Sequence, residues 1–218
     1  MLPFTLDQFI SVLVAYNDAI WPAQIVAYVI GIALLGLLFR PGGTTDRLIA
    51  GGLALMWAWT GIAYHWLQFT MINRAAYVFA AIFIVQAAAL FYCGVMRARL
   101  RFGLERGPAA VLGWIFIVYA LVLYPLIGQW TGHGYPGSPM FGVTPCPVTI
   151  FTFGLLLLTT APMPRFVLVL PLLWSLIGGS AAFLLGIQQD WLLVVSGLIA
   201  VPVIMLHDRS GHAPPVAA

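Results

Sequence analysis

Apolar runs separated by short polar or Gly/Pro-rich breaks dominate the chain. They fall at residues 19–39, 48–67, 75–96, 108–127, 148–160, 166–185 and 191–206. The breaks carry helix punctuation: Arg40-Pro41-Gly42-Gly43 closes the first run, Asp46 is placed to cap the second, and Pro108 opens the fourth. Most of these runs approach the roughly 20 residues that cross about 30 Å of hydrocarbon. The pattern therefore predicts an all-α integral membrane protein, a seven-transmembrane-helix bundle over residues 19–207.

Three stretches depart from that pattern. In residues 1–18, Phe4, Leu6, Phe9, Ile10, Leu13 and Val14 alternate at helical spacing with Asp7, Gln8 and Ser11. This reads as an amphipathic interfacial helix, or equally as a polar lead-in to the first span. The longest interruption lies between the fourth and fifth runs. Residues 128–151 hold four prolines and no formal charge, which predicts an ordered outer loop over 128–147, with Pro145 and Pro147 setting the start of the fifth span. Residues 208–218 are small and Pro-rich and predict a flexible cytoplasmic tail.

Composition agrees with a membrane protein: 62% of residues are hydrophobic and 7% charged, against about a quarter charged in a soluble domain. The net charge of +3 comes from arginine, with no lysine. With seven alternating spans and the N-terminus outside, Arg40, Arg47, Arg97, Arg99, Arg101, Arg106, Arg165 and Arg209 fall inside and Arg74 alone outside, so the charge rule predicts N-out, C-in. Arginines at span ends give no nucleic-acid surface. The N-terminus lacks the basic region of a secretory signal peptide. Trp57 and Gly61 are spaced like Trp174 and Gly178; this echo suggests a 3+1+3 parallel repeat, with chance recurrence in a Trp- and Gly-rich chain as the plainer explanation.

Polar side chains gather at the expected outer span ends. His65 is the leading candidate, because an imidazole beside Tyr64 near the end of a span calls for a partner or a task. Asp18 and Asp190 are its expected acidic partners. Asn73, Gln24 and His133 complete a candidate pocket, with Arg74 as the one outer cation. His65, His133 and Cys146 form a weak metal set, since imidazole and thiolate suit zinc or copper but the spacing is wide. No cofactor is predicted, and no catalytic residue is assigned. Several functions are excluded or disfavoured. A retinal Schiff base needs a lysine. His65 and His207 sit at opposite depths, unlike axial haem ligands. No phosphate-binding glycine loop ending in Lys-Ser or Lys-Thr is present.

At HGYPGSPMFGVTPCPVTIF, and again at PFTLDQFISVLVAYNDAIWPAQ, the chain resembles a family of small, functionally uncharacterised, multi-spanning membrane proteins of bacteria. The resemblance implies a multi-pass protein of the bacterial inner membrane and no reaction or site residues. Three functions remain open: a transporter or channel for a small neutral or weakly polar solute, a membrane-embedded enzyme with an outward His/Asp/Cys site, and an accessory subunit of a membrane complex. The partners expected are lipids, a small solute, and a second copy or another membrane subunit.

Overall fold

The computed structural model describes residues 2–210, so the expected tail lies mostly outside the described residues. The chain forms nine α-helices among the described residues: α1 (Leu6–Ala19), α2 (Ala23–Leu37), α3 (Gly43–Trp59), α4 (Ala76–Leu90), α5 (Pro108–Val118), α6 (Tyr124–Trp130), α7 (Pro145–Leu156), α8 (Val169–Leu185) and α9 (Trp191–Ser210). Wider π-turns prolong α3 over Thr60–Trp66 and α4 over Phe91–Met96, and join α5 to α6 over Tyr119–Leu123. The boundaries have local causes. Thr5 and Gln8 form a reciprocal capping box at the start of α1. Pro108 occupies the first turn of α5. Gly186, at φ 71°, ends α8 in the left-handed conformation that a Cβ would oppose.

Four helices are long and apolar enough to cross a membrane: Ala76–Met96, Pro108–Trp130, Arg165–Leu185 and Gln188–Asp208. A fifth is added only if α1 and α2, which meet at 82°, count as one broken span. This corrects the seven-span expectation, for three physical reasons. The 15 residues of α2 reach only about 22 Å. The helix that starts at Gly43 carries Asp46 and Arg47 in its first two turns and Tyr64 and His65 near its far end. The 12 residues of α7 reach about 18 Å. Without seven alternating spans, the N-out assignment and the 3+1+3 repeat both fall. The chain is nonetheless a multi-pass, all-α membrane protein, and the outward apolar side chains of α4, α5, α8 and α9 suit contact with lipid.

Instead of spanning, α7 forms the centre of the bundle. Each of its residues is buried, and it packs against α3, α5, α8 and α9. Its crossing with α5 brings backbones together: a Cβ on Gly113 would lie 2.8 Å from the Gly154 carbonyl oxygen. Trp57 reaches it from α3, donating from Nε1 to Thr152 Oγ1 at 2.9 Å. At one end of the bundle, Asp46 accepts from the Phe102 amide at 2.9 Å and from Arg101 at 3.3 Å, while the Thr160 amide donates to the Arg101 carbonyl. These bonds gather the arginine-bearing connections. At the other end, α1 is fastened to the segment before α7. Tyr16 donates to the Val143 carbonyl at 2.7 Å, and Asn17 Nδ2 donates to the carbonyls of Pro136 and Ser138 at 2.6 and 2.9 Å.

Candidate functional site: a buried cavity at His65

The π-turn Thr60–Trp66 carries Tyr64 and His65 into the bundle. Such turns rotate the residues that follow them relative to a regular helix, and they recur at functional sites. Here the rotation leaves Tyr64 and His65 both buried, although they are adjacent in sequence. His65 is 0% exposed. Its ring lies among Phe69, Phe79, Phe83 and Trp174, with centroids 6.1, 5.7, 4.7 and 4.9 Å away. Neither ring nitrogen has a hydrogen-bond partner among the described residues.

His65 lines a cavity of about 170 Å³. Its other walls come from the N-terminal segment (Leu2, Phe4), the start of α7 (Pro145, Cys146), α8 (Trp174, Gly178) and the turn before α9 (Ile187, Asp190). The lining is mostly apolar. Trp174, 5% exposed, points its indole N–H towards Cys146 without making a hydrogen bond of normal geometry. The Cys146 thiol lies beside Asp190 and Tyr124. Asp190, 3% exposed, accepts a hydrogen bond from the Tyr124 hydroxyl. The cavity wall therefore brings His65, Trp174, Cys146 and Asp190 together within an aromatic and aliphatic shell.

The expected site residues divide into two groups. Tyr64, His65, Asn73 and Asp190 line this cavity, as does Cys146 from the metal set. Asn73 is also tied locally, its Oδ1 accepting from the Ala75 amide. Asp18 and Arg74 are exposed and line no described cavity wall. Gln24 is buried but donates to the Asn17 carbonyl at 2.7 Å, bracing the α1–α2 bend. His133 borders a separate hollow of about 10 Å³ beside Gln189. Neither Asp18 nor Asp190 hydrogen-bonds His65. His133 does not join His65 and Cys146 in this cavity, and among the described residues no three His, Cys, Asp or Glu side chains gather as a metal site would require.

Trp174 is the residue that sequence patterning passed over. Its spacing to Gly178 was visible, but the closeness of its indole to His65 depends on how α8 packs against α4 and the π-turn. A Cβ on Gly178 would lie 3.0 Å from the Trp174 ring, so this glycine gives the indole its room.

Comparison with curated proteins and with solved structures found no match. The family described as "Family of unknown function (DUF6064)" matches over residues 6–213, nearly the whole of the bundle just described. The chain belongs to this family.

Proposed function

We propose that the protein binds, and carries within the membrane, a small and mostly apolar solute bearing a hydrogen-bonding group. The observation that supports this reading is His65, which lines a cavity of about 170 Å³ and whose two buried nitrogens have no hydrogen-bond partner among the described residues. Buried polar atoms are nearly always hydrogen-bonded, and leaving one unsatisfied costs about 1–3 kcal/mol. A mostly apolar cavity with such a side chain in its wall is suited to a ligand that carries a hydrogen-bonding group. The resemblance to bacterial inner-membrane proteins supports that membrane as the place of this activity. The test is saturable uptake of small neutral solutes into liposomes containing the purified protein, compared with the His65→Phe variant. Uptake that is unsaturable, or unchanged in the variant, would remove the transport reading.

A second reading is supported by a different observation. Cys146 shares the cavity wall with His65 and lies beside Asp190, so thiol chemistry on a bound solute is the enzymatic alternative. A turnover that disappears in Cys146→Ala, with solute binding kept, would favour the enzyme over the carrier.

A further inference from the structure

We propose that the arginine-bearing end of the bundle is a binding surface for anionic phospholipids, and that Arg40, Arg47, Arg99, Arg106 and Arg165 hold their headgroup phosphates. This surface lies away from the cavity and is independent of the solute-binding reading. Backbone contacts gather the five. Arg40 and Arg47 flank the start of α3, where a Cβ on Gly43 would lie 3.6 Å from the Arg101 guanidinium. Phe102 pairs with Thr159, and Arg106 and Thr159 border one hollow, so Arg99 and Arg106 lie beside the connection that leads to Arg165. After α4, exposed and buried residues alternate: Arg99 and Arg101 point outward, while Leu100 and Phe102 enter the core. Fixed backbone therefore presents Arg99 at the surface.

Positive charge is in excess at this end. Among the described residues, Arg97 and Arg101 join the five named arginines there, against Asp46, Glu105 and Asp208. Those carboxyl groups are engaged: Asp46 with Arg101 and the Phe102 amide, Glu105 with His207 at 3.7 Å, and Asp208 with the Met163 amide. The five named arginines are exposed, and their guanidinium groups make no hydrogen bond or ion pair among the described residues. Like charges so gathered attract an anion between them. Two features select a phospholipid over a soluble anion. Apolar side chains more than half exposed stand next to the cations: Phe39 before Arg40, Leu48 after Arg47 and Phe166 after Arg165. Such pairs match the boundary at which headgroup phosphates meet acyl chains. The cations are all arginine, with no lysine in the chain. Guanidinium is weakly hydrated and binds phosphate oxygens two at a time, which suits the partly dry headgroup layer. A zwitterionic lipid brings its own cation to each phosphate, so the excess positive charge favours an anionic one.

The experiment places the full-length protein in bilayers of phosphatidylcholine and phosphatidylglycerol and follows trace spin-labelled lipid of either headgroup by electron spin resonance. The motionally restricted fraction reports which lipid the protein holds. One arginine contact is worth about fivefold and is available in one leaflet, so phosphatidylglycerol should be preferred about threefold averaged over both. At about 1 M sodium chloride, where the screening length falls to about 3 Å, the preference should approach unity. A protein carrying Arg40→Gln, Arg47→Gln, Arg99→Gln, Arg106→Gln and Arg165→Gln together should lose it. Arg74→Gln, at the other end of the bundle, should keep it. Equal restriction of the two lipids by the unaltered protein would overturn the proposal, whether or not any variant folds. So would a preference that survives the five substitutions, or one that Arg74→Gln removes as well. Inorganic phosphate provides the arm for a free anion. A preference lost in phosphate, but kept in sodium chloride of equal ionic strength, would assign the arginines to a soluble anion and overturn the lipid surface.

Discussion

Replacing His65 by phenylalanine should stabilise the protein and disable the site in one step. The imidazole sits at zero exposure against Phe69, Phe79, Phe83 and Trp174, with neither nitrogen hydrogen-bonded among the described residues. Each unsatisfied buried polar atom costs about 1–3 kcal/mol. Small shifts of neighbouring side chains recover part of that; water does not, because neither nitrogen is accessible even from the adjoining cavity. Taking half as recovered, removal of both nitrogens returns about 1–3 kcal/mol. The bulkier phenyl ring has the cavity to grow into, so overpacking is small. His65→Ala makes the contrast: it loses the four ring contacts and enlarges the cavity, for an expected loss of about 2–4 kcal/mol. Unfolding in mixed micelles of mild and denaturing detergent, without added ligand, measures both. A phenylalanine variant less stable than the parent by 1 kcal/mol or more would mean that the imidazole has a structural partner, and the argument from unsatisfied nitrogens would fail.

Three further outcomes follow from the packing. Gly154→Ala should cost about 1–3 kcal/mol, because its Cβ would lie 2.9 Å from the Gly113 carbonyl oxygen and 2.7 Å from Ile117, whereas Gly36→Ala, with nothing within 4 Å, should be neutral or mildly stabilising; equal stabilities in the unfolding assay would refute the close α5–α7 crossing. Asp46→Ala should cost about 1–3 kcal/mol and speed hydrogen exchange at the Phe102 amide. Arg101→Gln should cost under about 1 kcal/mol, because that guanidinium is half exposed; the reverse ranking would make the ion pair, not the backbone bond, the fastening. Tyr124→Phe, which takes the hydroxyl donor from buried Asp190, should destabilise more than Tyr119→Phe, whose hydroxyl donates to the Gln189 carbonyl from a partly exposed position; matched losses would show that Asp190 is held by something else.

The helical class and the membrane setting were readable from the sequence because both follow from apolar run length and scarce charge. The span count was not. A hydropathy run does not show that the chain turns 82° between α1 and α2, nor that residues 145–156 are enclosed by neighbours instead of lipid. Apolar residues facing protein and apolar residues facing hydrocarbon read alike, because both environments exclude water. The gathering of polar residues near span ends directed attention to Tyr64, His65, Asn73, Cys146 and Asp190, which do share one cavity. It gave equal weight to Asp18 and Arg74, which face outwards. Trp174 escaped notice because indole reads as one more apolar side chain, and its N–H matters only once the packing leaves it without a partner.

The enclosed α7 also bears on how the molecule is assembled. Helices of adequate length can be set in the bilayer one after another as they are made. A 12-residue helix cannot hold a transmembrane position by itself, and its neighbours lie on both sides of it in sequence, α3 and α5 before, α8 and α9 after. Until the last two are synthesised, the side of α7 that they cover has no protein against it. Completion of the core is therefore among the final events of biogenesis, and a chain halted before α8 would present quality-control proteases with an unfinished interior.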